Sequence, residues 1–190
     1  MTRLAPHSGD SDVTARIRER RGGRLTPLDL ILLHSPPVAD GWNSLLGAIR
    51  TRAELPDDLR ELAILRVAAL NGAEYEWNAH EPVAHRAGLS REQTEALRVD
   101  ADPARTPLSP AQHAVLAYTD AMTRTVDVPD AIFETVRAHF DDRQIVELTA
   151  TIGTYNLVSR FLVALHVGRA GTTPDSTSTP ESADKNGAAA

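Results

Sequence analysis

An all-α, single-domain fold is what this 190-residue sequence predicts, and three features predict it. Val, Ile and Phe never alternate over a strand-length run, so no segment asks to be a strand. Helix-opening signatures recur: Ser90 with Gln93, Ser109 with Gln112 and Asp141 with Gln144 are each a polar cap with its partner three residues on. Proline and glycine punctuate the chain at helix-length intervals. Composition divides the chain into residues 1–24, 25–170 and 171–190. The first stretch is polar, with six Arg against Asp10, Asp12 and Glu19, and reads as a flexible arm. The last has no large apolar residue to offset ordering entropy and reads as disordered.

Within 25–170 the elements follow in order. Thr26 and Pro27 cap and open a helix that His34-Ser35-Pro36-Pro37 stops, because proline drives its predecessor out of the α region. A second covers roughly 39–52, with Trp42, Leu45, Leu46 and Ile49 on one face. Pro56 and the acidic pair Asp57-Asp58 start a third, through Leu59, Leu62, Ile64, Leu65 and Leu70. Asn71-Gly72 turns the chain into a fourth, which ends at Gly88. Short helices follow at Ser90, Ser109-Pro110 and Pro129. The last begins at Asp141 and ends near Gly168. Ile145, Leu148, Ile152, Tyr155, Val158, Phe161 and Leu162 make it apolar nearly all round, so it is expected inside the domain or between subunits. Glu147, Asn156 and Arg160 argue against a membrane span.

Charge and residue types narrow the chemistry. A net charge of -6 argues against nucleic acid or an anionic membrane as partner. Cysteine is absent, which removes disulfides, thiolate nucleophiles and zinc–thiolate sites. Only one of the twenty basic residues is a lysine, Lys185 in the polar tail, so no ordered ammonium serves a Schiff base or a P-loop. No apolar signal core follows Arg3, and a cytoplasmic location is expected.

Carboxylate, imidazole and guanidinium remain. Glu76 and His80, four residues apart, share a helix face, and a hairpin at Asn71-Gly72 brings Glu61 opposite them. Such a cluster holds and moves protons near neutral pH; an ordinary surface pair is the alternative. A metal is not expected. His85 lies five residues beyond His80, roughly 140° round the helix, and Pro82 intervenes.

The stretch ELAILRVAALNGAEYEWNAHEPVAHRAGLS, residues 61–90, resembles the core of the carboxymuconolactone decarboxylase and alkylhydroperoxidase-like superfamily. LLHSPPVADGWNSLLGAIRTRAELP upstream and IVELTATIGTYNLVSRFLVAL downstream are similar to its flanking helices. The peroxidase branch carries Glu, eleven residues, Cys, two residues, Cys, three residues and His. On this sequence those positions fall on Glu61, Ala73, Glu76 and His80, with the spacing kept and both thiols gone. The resemblance implies an alkylhydroperoxidase-like helical bundle assembled as trimers or hexamers. It implies a cofactor-free lyase in which Glu61, Glu76 and His80 transfer protons on a small organic acid or lactone. Thiol-dependent peroxide reduction is excluded. A non-catalytic binding or assembly protein on the same scaffold is the second reading.

An acid substrate needs an anchor. Arg160, isolated in the apolar last helix, and Arg66 offer guanidinium forks, with structural salt bridges as the alternative. His34 and Trp42 are placed at a pocket mouth, although Trp42 equally suits the core. Tyr75 and Trp77 flank Glu76, one to roof the site while the other packs; Tyr155 and Asn156 offer hydrogen bonds to a ligand, and His113, His139 and His166 receive no role.

Overall fold

The computed structural model describes residues 2–7, 9–98 and 107–168, and among them every regular element is a helix. In chain order these are α1 (Asp12–Arg20), α2 (Pro27–Leu32), α3 (Pro36–Thr51), α4 (Asp57–Leu70) and α5 (Glu74–Arg86). They continue with α6 (Arg91–Glu95), α7 (Pro110–Arg124), α8 (Asp130–Arg137) and α9 (Asp142–Leu165). Capping boxes form at Thr26/Asp29, Ser90/Gln93, Ser109/Gln112 and Asp141/Gln144, each satisfying backbone N–H groups that a helix start leaves over.

The core is built round α4. Residues 59–68 of this helix are all buried, charged Arg60, Glu61 and Arg66 included. A helix with no exposed face must be covered on several sides, and α5, α7 and α9 pack against α4. The α4–α5 hairpin closes on Asn71 and Gly72, and Gly72 takes a left-handed φ of 63° that only glycine adopts cheaply. Helix α9 runs antiparallel to α3: Phe161 meets Trp42, Tyr155 meets Arg50, and Glu147 accepts from the N–H groups of Glu54 and Leu55 beyond α3. By length and hydropathy α9 would suit a bilayer, yet one face is core, with Leu148, Ile152 and Tyr155 fully buried.

Two sequence expectations need correction, and a third is met only in part. The N-terminal arm is not wholly flexible: Ser11 caps α1, Ile17 is buried, and Arg16 pairs with Asp40 of α3 at 2.7 Å. Helix α3 begins at Pro36 instead of 39, because both prolines occupy its first turn, where a missing N–H costs nothing. Helix α9, expected to be buried inside the domain or between subunits, is covered only in part by its own chain. Val146, Leu157 and Val163 stay 67%, 50% and 45% exposed within this single chain. The expected disordered tail, 171–190, lies outside the described residues.

Candidate active site

The α4–α5 hairpin is nearly symmetric about its turn, so Glu61, nine residues before Leu70, faces His80 on the returning helix. The His80 Nδ1 lies 2.7 Å from Glu61 Oε2, and both side chains are buried. A carboxylate only accepts, so Nδ1–H donates to Glu61 and the lone pair is left on Nε2. Burial pushes the imidazole below its ordinary value; the nearby Arg50 and Arg60 guanidiniums act the same way, against the pull of Glu61. His80 is therefore a neutral base with its tautomer fixed.

Two groups face Nε2. Arg50, from the last turn of α3, places Nη2 at 3.2 Å, and the Tyr155 hydroxyl of α9 lies at 3.3 Å. Arg50 Nε donates to the Tyr155 oxygen at 2.8 Å, which leaves the phenol proton to point at Nε2. Burial holds that phenol well above its ordinary range and hence neutral. The rings of His80 and Tyr155 meet edge to face, 5.1 Å between centroids.

One turn before His80, Glu76 is 2% exposed, and neither carboxyl oxygen has a hydrogen-bond partner among the described residues. Desolvation drives its acid well above the usual carboxylate range, with Arg50 opposing only in part. Burial thus favours the neutral carboxyl of Glu76, which is able to donate. Glu61, Glu76, His80 and Arg50 line one cavity of about 300 Å³, closed by Arg21, Arg60, Tyr75, Ala79, Val83, Val158 and Leu162 among others. That volume suits a small ligand. Among the described residues no three carboxylate or imidazole side chains converge as metal ligands.

The structure brings Glu61, Glu76, His80, Tyr75 and Tyr155 together and places the other candidates elsewhere. Arg66 grips both Asp120 oxygens, at 2.6 and 2.7 Å, and donates to the Leu97 and Arg98 carbonyls at 3.0 Å. Its guanidinium ties α4 to α7 and does not line the cavity. Arg160 is exposed and folds back onto Asn156 of its own helix. Asn156 also donates to Thr123 and accepts from Asn71, joining α9 to α7 and to the end of α4. His34 is exposed against the Ala5 carbonyl, at 2.8 Å. Trp42 packs in the core on Phe161, 5.2 Å between centroids, away from the cavity.

Sequence reasoning passed over the guanidiniums that do line it, Arg21, Arg50 and Arg60. A signal existed for Arg50. It sits four residues after Leu46 and eight after Trp42, on the buried stripe of α3, where a cation needs a reason.

Comparisons with known proteins agree with this fold. Residues 36–121, from the start of α3 into α7, match the carboxymuconolactone decarboxylase family. The uncharacterized protein YnjA of Escherichia coli is 34% identical over 125 residues, covering 64% of this chain and 66% of its own length. An AhpD-core, peroxidase-related protein from Ralstonia eutropha superposes with a TM-score of 0.76 at 20% identity, over 87% of this chain and 90% of that one. The debrominase Bmp8, in complex with 2,3,4-tribromopyrrole, gives 0.72 at 19% identity over 88% and 91%. These two likenesses speak to the fold alone. With the family match spanning the α4–α5 hairpin and no cysteine in the sequence, this chain resembles a thiol-free member of the carboxymuconolactone decarboxylase family on the AhpD-like scaffold.

Proposed function

We propose that the chain is an acid–base enzyme acting on a small organic acid or lactone without a thiol step. One observation carries the reading: a neutral imidazole, its tautomer set by Glu61, presents a basic nitrogen beside a guanidinium that has no carboxylate partner among the described residues. Arg50 holds the substrate carboxylate. His80 Nε2 takes a proton from carbon or oxygen. Glu61 stabilises the imidazolium that forms, and neutral Glu76 donates to the oxygen where negative charge develops. Decarboxylation, lactone isomerisation and hydration each use such a base and acid. Tyr155, donating to Nε2 while accepting from Arg50, keeps the two groups in register until substrate enters.

The test is a screen of small carboxylic acids and lactones with product analysis by mass spectrometry, repeated on His80→Gln. Turnover should fall by about 10²–10⁴-fold with helix content unchanged. Full turnover in that variant would remove His80 as the base, and no turnover in the wild type would return the chain to the binding-protein reading.

Self-association, as a trimer or hexamer, belongs to the same proposal. Its support is Val146 and Leu157, which share one face of α9, with Val163 further round that helix and Val38 and Leu45 of α3, all left exposed in the single chain.

A further inference from the structure

The cavity's charges cancel in pairs, all but one. Arg21 Nε lies 2.8 Å from Asp29, at an angle that makes it a charge pair more than a hydrogen bond. Arg60 is held by Asp57 at 2.8 Å and faces Glu61 at 3.6 Å. Glu61 in turn is committed to His80. Arg50 alone among the guanidiniums lining the cavity has only uncharged partners, Tyr155 and His80. Of the remaining polar lining groups, Glu76 is buried with both oxygens unpartnered.

Resting on the acid–base reading above, we infer that the cavity takes a monocarboxylate bearing a second, uncharged oxygen, an oxo or hydroxy acid, and discriminates against dicarboxylates. The carboxylate neutralises Arg50. The second oxygen meets Glu76, which supplies one O–H donor and keeps acceptor capacity. A second carboxylate would have no cation left unless Arg21 or Arg60 gave up a partner. It would also face Glu76 and Glu61, both buried, beside which an unpaired negative charge is costly. Glu76 thereby becomes the residue that sets specificity, through its neutral form: a bound anion at Arg50 offsets the one nearby cation that favours its ionisation.

Three five-carbon acids of matched length separate the possibilities by calorimetric titration of the full chain at neutral pH: valerate, levulinate with its ketone, and glutarate with its second carboxylate. Levulinate should bind about tenfold more tightly than valerate, the worth of one hydrogen bond to a buried donor. Glutarate should bind at least about tenfold more weakly than levulinate. Glu76→Ala should erase the levulinate–valerate gap, while Glu76→Gln, whose amide still donates, keeps most of it. Glutarate equalling or exceeding levulinate overturns the inference, and the wild-type protein alone decides that point. A gap that survives Glu76→Ala also overturns it. If no acid binds, or Arg50→Gln binds all three as the wild type does, the acid-holding reading falls as well, an outcome distinct from loss of discrimination.

Discussion

At the scale of single residues, protonation dominates. His80 titrates near 6.5 when unfolded and lower when folded. The stability it contributes is complete above about 6.5 and drains away as the pH falls from there through the folded value. Glu76 runs the other way. Its folded value lies well above 4.5, so its contribution is present below that point and lost as the pH rises through the folded value. Glu76→Gln removes this penalty. Thermal unfolding should show the variant gaining on the wild type with rising pH, the two converging near pH 4.5; a gap constant with pH would contradict a neutral buried acid. Tyr155→Phe leaves Arg50 Nε and His80 Nε2 short of a partner and should cost about 1–3 kcal/mol in urea unfolding. The residue scale is also where the sequence was least legible. Spacing alone puts Glu61, Glu76 and His80 in one place. It does not say that Arg66 turns to Asp120, that Arg160 lies in solvent, or that Arg50 turns inward, because a long flexible cation is compatible with either side of a helix boundary.

At the scale of elements, local signals read well wherever the backbone states its own rule. Capping boxes at Ser90, Ser109 and Asp141 formed where the sequence placed them, since each rests on contacts three residues apart. Helix α1 was missed because Val13 and Ile17 are its only large apolar residues, and ion pairing with α3 gives a hydropathy pattern nothing to show. The α4–α5 turn is the element on which the site depends. Gly72 at φ 63° has open space around its Cβ position, so Gly72→Ala meets no clash and pays only the left-handed backbone strain. A loss of about 1 kcal/mol is expected from denaturant midpoints. Gly168 differs: a Cβ there would collide with the Tyr75 ring, so Gly168→Ala must shift a cavity wall as well as strain the backbone.

At the scale of the whole molecule, the all-helical class and the family were legible because hydrophobic period and the Glu–His spacing survive the loss of both thiols. Which faces remain open was not, since periodicity reports apolarity without naming what covers it. The α9 face carrying Val146 and Leu157 gives the corresponding test. Leu157→Glu should lower the mass seen by light scattering toward that of one chain while leaving helix content intact. An unchanged mass would remove this face from the assembly. The site itself needs α3, α4, α5 and α9 at once, and His80 is where all four meet. Nitrogen NMR of that imidazole in the full chain, assigned by comparison with His80→Gln, is therefore the most direct measurement. At pH 7 the ring should be neutral, protonated at Nδ1 and bare at Nε2, with the Nδ1 assignment lost in Glu61→Leu, which removes the acceptor. A ring protonated on both nitrogens, or a bare Nδ1 facing Glu61, would contradict the fixed neutral base from which the proposed chemistry starts.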